Sequence, residues 1–440
     1  MATSQLKTRI ESGEAVVGIV GLGYVGLPLM LTFGGRGFRC LGFDIDQAKV
    51  EALNAGRSYI AHIPSDDVAA LAGAKTISAT TDFARAREVD ALLLCVPTPL
   101  TTHREPDMTY VAGTARTLGP HLRTGQLIVL ESTTYPGTTD GLLRELLETE
   151  SGLQAGKDFH LAYSPEREDP GNPNYGTQQI PKVVGGLTPT CRDLAVALYR
   201  GALDEVVPVD DTRVAEMTKL FENIFRSVNI ALVNELKVLC DRMEIDVWDV
   251  IRAASTKPFG FMPFYPGPGL GGHCIPIDPF YLTWKAREYE LSTRFIELAG
   301  EINTAMPRYV LARLGDALND RGVAMKGAKI LVMGLAYKRD VDDTRESPAF
   351  KIIELLRERG SEVAYHDPHV PSAPRKRDYD FTLRSVELDP ETVASYDAVL
   401  IVTDHQAVDY ELLVKHARLI IDTRNATASV DADKSHVIKA

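Results

Sequence analysis

Residues Pro266 to Asp278 read Pro-Gly-Pro-Gly-Leu-Gly-Gly-His-Cys-Ile-Pro-Ile-Asp. Four glycines and three prolines in this stretch argue against regular helix or strand, and they frame one thiol, Cys274, and one carboxylate, Asp278. A thiol held in a shaped loop suits covalent catalysis. A Gly/Pro surface loop with an incidental cysteine fits the same residues, so the decision falls to the rest of the chain.

Three other groupings carry chemistry. Gly21-Leu22-Gly23-Tyr24-Val25-Gly26 is a GxGxxG turn, preceded by the apolar run Ala15–Val20 and followed by a helix-compatible stretch, Leu27 to Gly37, and a second run, Cys40–Phe43, that ends at Asp44. Strand, glycines, helix, strand and acid in that order are the pattern of a dinucleotide site, with the pyrophosphate at a helix N-terminus and the acid on the adenosine ribose. An acid at Asp44 favours a free 2′-hydroxyl over a 2′-phosphate, so the expected cofactor is NAD. A tight strand-to-helix turn without a ligand is the bland alternative. Lys219 and Asn223 stand i,i+4 within an unbroken helical pattern and share a face, although a lysine there also reads as a solvated position. Lys338, Arg345 and Arg424 follow strand-like runs and suit the phosphates of a second anionic ligand, or plain surface charge.

The elements that must position these residues follow from periodicity. Short apolar runs at Ala91–Val96, Leu127–Leu130, Phe159–Tyr163 and Lys182–Val184 alternate with helix-compatible stretches, which predicts a doubly wound parallel sheet with ligands beyond the strand C-termini. Thr98 between Pro97 and Pro99, Glu131-Ser132-Thr133 and Ser164-Pro165-Glu166-Arg167 stand at those ends. From about Asp211 to Met243 no Pro or Gly interrupts the chain, so one long helix is expected, capped by Asp210, Asp211 or Thr212. Its apolar surface is broader than one stripe and is expected to be buried on more than one side, as in a homodimer or a dimer-based oligomer. Phe259, Phe261, Phe264 and Tyr265 wall a ligand or pack the cysteine loop. Runs at Lys329–Ala336, Val363–Tyr365, Ala398–Thr403 and Leu419–Asp422, with a helix near Pro348–Arg359, give a second α/β unit without a GxGxxG turn. The predicted fold is thus α/β, two Rossmann-like doubly wound parallel-sheet domains (1–208 and 323–440) joined by a central helical domain (209–322).

Composition narrows the partners. The formal charge of −12, from 48 Lys+Arg against 60 Asp+Glu, offers no basic field for nucleic acid or anionic lipid. No apolar run approaches the ~18 residues of a membrane span, and the first residues hold no apolar signal region, so a cytoplasmic location is expected. Five scattered cysteines without a CxxC pair argue against disulfides and zinc, and no metal is expected.

The motifs Gly21–Pro28, Glu131-Ser132-Thr133, Ser164-Pro165-Glu166-Arg167, Gly269–Pro276 and Asp343-Thr344-Arg345-Glu346-Ser347 together resemble the UDP-glucose/UDP-mannuronate dehydrogenase family, in family order over nearly the whole chain. Ser164–Asn172 and Pro266–Leu282 look most like its bacterial UDP-N-acetylglucosamine 6-dehydrogenase branch, although the UDP-N-acetylmannosamine enzymes share Gly271–Pro276. The resemblance implies two NAD-dependent oxidations at C6 of a UDP-sugar, through a thiohemiacetal and a thioester on Cys274. It further implies that Lys219 stabilises oxyanions and that Asp278 assists proton transfer. Glu166 would be the base for thioester hydrolysis, with Thr133 and Asn223 holding water or substrate. It places Gly21, Gly23, Tyr24, Val25, Gly26, Asp44, Thr98, Ser132 and Arg345 around NAD, and Arg167, Phe264, Tyr265, Gly271, Lys338 and Arg424 around the UDP-sugar. Arg167 departs from the apolar residue of the UDP-glucose branch and is expected to accommodate an N-acetyl group.

Two other classes compete. A non-catalytic NAD-binding scaffold predicts gaps at Cys274 or Lys219, and neither gap is present. A two-electron dehydrogenase of 3-hydroxy acids needs neither the cysteine nor the second α/β unit.

Overall fold

The structure is a computed structural model that describes residues 2–60, 63–101, 103–167, 178–272, 275–376, 379 and 381–440. Its contacts divide the chain into two compact units, Met1–Glu222 with Phe280–Leu291, and Asn223–Pro279 with Ser292–Ala440. The central segment is therefore shared between the units.

In the first unit the strands are β1 (Val16–Val20), β2 (Arg39–Phe43), β3 (Ile77–Thr80), β4 (Ala91–Leu94), β5 (Leu127–Leu130), β6 (His160–Tyr163), β7 (Lys182–Gly186) and β8 (Val206–Pro208). They form one sheet in the order β3-β2-β1-β4-β5-β6-β7-β8. The order reverses direction between β1 and β4, which opens a crevice beyond their C-terminal ends. β1, β4 and β5 are short runs of Val, Ile, Leu, Ala and Gly, buried almost throughout, as central parallel strands covered on both faces must be. One pairing departs from the expected all-parallel sheet: β7 runs antiparallel to β6, with Ala162 opposite Gly186 and Tyr163 opposite Gly185. Helices Gly26–Gly35 and Pro189–Arg200 contribute Leu27, Met30, Phe33, Leu194, Leu198 and Tyr199 to the core on one side of the sheet.

The long helix runs from Thr212 to Arg242, within a residue of its predicted ends. Among the three expected caps, Asp211 accepts the Val214 N–H at 2.9 Å. Leu220, Asn223, Ile224, Ser227, Ala231 and Asn234 are buried, while Met217, Phe221, Phe225, Leu232, Leu236, Leu239 and Met243 are exposed. Within one chain the helix thus buries one face and leaves a second apolar face open, the face for which a dimer contact was expected.

The second unit carries β9 (Lys329–Met333), β10 (Glu362–His366), β11 (Ala398–Ile401), β12 (Ile420–Asp422) and β13 (Val437–Lys439), all parallel, in the order β10-β9-β11-β12-β13. Helix Pro348–Glu358 is capped by Ser347 and covers the sheet with Phe350, Ile352, Ile353 and Leu356. β9 is followed by Gly334, whose φ of +87° suits glycine, and a Cβ there would lie 2.4 Å from Cβ of Thr403. Asp367, just past β10, accepts the N–H groups of Leu335 and Ala336 at 2.7 and 2.9 Å.

Candidate active site

The first unit builds the dinucleotide turn from backbone sterics. Gly21 has φ +90°, and a Cβ on it would come within 2.6 Å of the Cys95 carbonyl oxygen. A Cβ on Gly26 would come within 1.8 Å of the Gly21 oxygen, whereas one on Gly23 meets nothing within 4 Å. The outer glycines thus fold the turn, and the middle one leaves room for a ligand to approach the backbone. Tyr24 is exposed beside it, and Val25 precedes the helix Gly26–Gly35. Asp44 accepts the Leu22 N–H at 2.8 Å and the Asp46 N–H at 2.9 Å, with Lys49 Nζ at 3.5 Å. These residues fit a bound dinucleotide: an open glycine, a helix N-terminus and a carboxylate at the end of β2.

Beyond β4 and β5, Ser132 Oγ donates to the Val96 carbonyl at 2.7 Å, tying the two strand exits together. Thr98 is buried, and its carbonyl accepts the hydroxyl of fully buried Tyr281. Glu216, one turn before Lys219 on the long helix, is buried and accepts N–H bonds from Gly137 at 2.7 Å and Thr139 at 2.9 Å, and the Thr139 hydroxyl at 2.7 Å. This fixes the segment that follows Thr133. Lys219 itself is buried.

Glu166 Oε1 accepts the Arg167 N–H at 2.7 Å, and its Oε2 lies 3.1 Å from Lys182 Nζ. The Arg167 fork is held by Glu222 at 2.6 and 3.2 Å and by the Pro181 carbonyl at 2.5 Å.

In the second unit, Asn223 Nδ2 donates to Asp278 Oδ2 at 2.5 Å, and both side chains are buried. Two residues 55 positions apart, singled out separately in the sequence, therefore form one buried pair. The loop around them is held by contacts absent from the sequence reading. Asn234 accepts the Gly267 N–H at 3.0 Å and donates to Asn303 at 2.9 Å, while Asn303 donates to the Ser227 carbonyl at 3.1 Å. A Cβ on Gly267 would meet the Arg424 guanidinium at 2.5 Å, and one on Gly271 the Tyr337 Cβ at 2.7 Å. The Gly272 N–H donates to the Arg345 carbonyl at 3.0 Å. Cys274 and His273 lie outside the described residues, as does Glu168–Thr177.

Arg424 Nε donates to the Val402 carbonyl at 3.0 Å, and the Arg345 fork grips Asp343 at 2.7 to 3.1 Å. Lys338 follows β9 and is half-buried. Phe264 packs edge-on against Phe225 at 5.7 Å, and Tyr265 stacks on Trp248 at 5.9 Å. Both rings therefore have packing partners.

Among the described cysteines, burial pushes the Cys40 thiol up to about 12, and burial together with the Glu131 charge pushes Cys95 well above its ordinary value. Neither is a ready thiolate. Asp340, His369 and His405 bring potential ligand atoms within 4.8 Å. His405 Nδ1 already accepts the Asp340 N–H at 3.0 Å, and its Nε2 faces Asp367 at 3.0 Å, so both ring nitrogens are engaged by protein.

An open α/β sheet with a glycine turn at its switch point and an acid at the end of the next strand defines a dinucleotide-binding protein of the Rossmann type. Models of the UDP-glucose/GDP-mannose dehydrogenase family match the chain in order: the NAD binding domain over residues 15–203, the central domain over 213–305 and the UDP binding domain over 331–429. The chain belongs to this family and is an NAD-dependent UDP-sugar dehydrogenase. It is 35% identical over 390 residues to the UDP-N-acetyl-D-glucosamine 6-dehydrogenase of Pseudomonas aeruginosa, spanning 88% of this chain and 90% of that one. It is 37% identical over 407 residues to the UDP-N-acetyl-D-mannosamine dehydrogenase of Escherichia coli, spanning 89% and 94%. The solved structure of UDP-D-ManNAc dehydrogenase from Pyrococcus horikoshii matches with a TM-score of 0.84 at 33% identity, over 93% of this chain and 96% of that one. No helix among the described residues is long and apolar enough to cross a membrane.

The sequence reading placed Glu131 at a strand exit without a role and missed Lys182, Tyr199, Glu216, Tyr281, Asn234 and Asn303. A lysine heading the otherwise apolar run Lys182–Val184 is the one local signal among them.

Proposed function

We propose that this protein oxidises C6 of UDP-N-acetylglucosamine from alcohol to carboxylate in two successive steps. The observation that carries this reading is the buried Asn223–Asp278 pair at 2.5 Å, a polar centre on the segment that follows the cysteine loop. NAD, when bound, supplies the hydride acceptor for each oxidation, and the turn Gly21–Gly26 with Asp44, Thr98, Ser132 and Arg345 is proposed to hold it.

In the first step Lys219 and Asp278 take up the hydroxyl proton as C6 becomes an aldehyde. The Cys274 thiolate then adds to the aldehyde carbon, forming a C–S bond, and Lys219 steadies the oxygen before it is protonated. Loss of hydride from that carbon and of the hydroxyl proton to Lys219 and Asp278 leaves a thioester. Water, activated by Glu166 and held by Thr133 and Asn223, adds to the carbonyl carbon; the C–S bond breaks and the thiolate returns. The balance is one alcohol, one water and two NAD consumed, and one carboxylate, two NADH and three protons formed. Lys338, Arg424, Phe264, Tyr265 and the Gly271 backbone are proposed to hold the UDP-sugar, with Arg167 beside the acetamido group. The functional boundaries proposed are 1–208, 209–322 and 323–440.

The test is a panel of UDP-sugars with NAD, following NADH absorbance. Two NADH per sugar and fastest turnover of UDP-N-acetylglucosamine are expected. One NADH per sugar would rule out the thioester route, and faster turnover of UDP-N-acetylmannosamine or UDP-glucose would reassign the substrate.

The open apolar face of the long helix is proposed to pair with a second copy of the chain. Light scattering at micromolar concentration is expected to give a dimer mass or a multiple of it, and a monomer mass would exclude the pairing.

A further inference from the structure

The reversal of β7 has a chemical result. Were β7 parallel to β6, its first residue would lie at the N-terminal edge of the sheet, far from the exits where Thr98, Ser132, Thr133 and Glu166 collect. Running antiparallel, with Tyr163 opposite Gly185, β7 begins at the C-terminal edge, and the same register carried on sets Lys182 opposite Glu166. Lys182 Nζ lies 2.6 Å from Glu131 Oε2 and 3.1 Å from Glu166 Oε2. Glu131 and Lys182 are buried to within a few per cent of full coverage. The hydroxyl of fully buried Tyr199 donates to Glu131 Oε1, and its ring centroid stands 5.6 Å from Lys182 Nζ.

Two carboxylates on one ammonium, one fully buried and the other partly so, are interdependent. Without the cation both carboxyls lose its attraction and repel one another, which favours the protonated form of each, Glu166 included. A protonated Glu166 cannot serve as a base.

We propose that Lys182 is a positioning residue for the Glu166 base: it fixes one carboxylate oxygen and keeps the group ionised at neutral pH, with Glu131 and Tyr199 holding the ammonium in place. This rests on the reading of Glu166 as the base for thioester hydrolysis. Among the described residues, the charged and titratable groups around Glu166 include Lys182 on β7, Glu131 beyond β5, Cys95 beyond β4, Tyr199 on the helix Pro189–Arg200, and Arg167 with its partner Glu222 on the long helix.

The test compares Lys182→Met with Lys182→Arg in single-turnover and steady-state assays with UDP-N-acetylglucosamine and NAD. In Lys182→Met the rapid NADH burst is expected to persist while steady-state turnover falls about ten- to a hundredfold, because only hydrolysis is slowed. KM should fall together with kcat, leaving kcat/KM near wild type, because the steps up to the thioester are unaltered. The acid limb of the kcat profile should move up by about one pH unit, since loss of a neighbouring cation raises a carboxylate. Lys182→Arg should restore most of the rate and the profile. If Lys182→Met does not fold, the double variant Glu131→Gln, Lys182→Met removes the stranded buried carboxylate; the burst with slow steady-state turnover is still expected of it because Glu166 loses its tether, with a smaller pH shift because the repelling charge is gone as well. An unchanged rate and profile overturns the proposal, as does a loss of burst and steady state together, which would mark a purely structural role. Glu166→Gln separates the two readings. Full turnover by that variant defeats the base assignment itself, whereas a slow Glu166→Gln beside an unaltered Lys182→Met defeats only the role of Lys182.

Discussion

Replacing Cys274 with alanine is expected to abolish acid formation, lowering turnover by about a thousandfold or more, while NAD binding is kept. An aldehyde carbon carries no lone pair to expel hydride against, so a second oxidation needs an added nucleophile. Without the thiol only water can add, with none of the advantage of a tethered group. The flanks of the loop do not depend on the thiol. The Gly267 N–H rests on Asn234, Gly271 lies against Tyr337, and the Gly272 N–H rests on the Arg345 carbonyl. The variant is therefore expected to fold, and NAD binding by fluorescence titration checks that it does. Wild-type production of acid by Cys274→Ala would refute the nucleophile.

The second large effect is on stability. Glu216→Ala is expected to destabilise the protein by about 3 kcal/mol near pH 6, because the buried N–H groups of Gly137 and Thr139 lose their acceptor. Activity should fall with it, since those bonds fix the segment after Thr133. Burial raises Glu216 to about 7, against the donors from Thr139 and Gly137 that pull it down. A carboxyl raised in the folded state contributes stability that is fully present below its unfolded value, ~4.3, and is lost as pH rises through about 7. Wild-type stability should therefore decline by a few kcal/mol from this group between about pH 4.3 and 7, and Glu216→Ala should lack that decline. Urea denaturation across this range measures both. Parallel curves for the two proteins would show that Glu216 does not titrate there.

Much of the frame was legible because it is local. A 31-residue helix without Pro or Gly announces itself by period, and its predicted ends were right to a residue. β1, the glycine turn, β2 and Asp44 follow one another within 29 residues, from Val16 to Asp44, so their order alone defines the turn. β3, β8 and β13 went unseen: each is three or four residues long, at or near a sheet edge, and partly exposed, which leaves too little apolar pattern. The helix Ala2–Glu11 was also missed, since only Leu6 and Ile10 face the core. The antiparallel turn of β7 cannot be read locally at all, because direction is set by pairing with a distant strand. For the same reason Lys182 looked like the start of a strand, and Asn234 and Asn303, 69 residues apart, like ordinary helix positions.

The glycine after β9 and the acid after β10 repeat, in the second unit, the arrangement of Gly21 and Asp44 in the first. Gly21 and Gly334 have φ +90° and +87°, and each following turn gives its N–H to the acid ending the next strand. What differs is the fate of the carboxylate. Asp44 keeps a partly accessible edge beside Lys49, whereas Asp367 is fully covered, with His405 at 3.0 Å. In the first joint the acid is proposed to serve a ligand, whereas in the second it is closed in by the turn and by His405 and acts as a rivet.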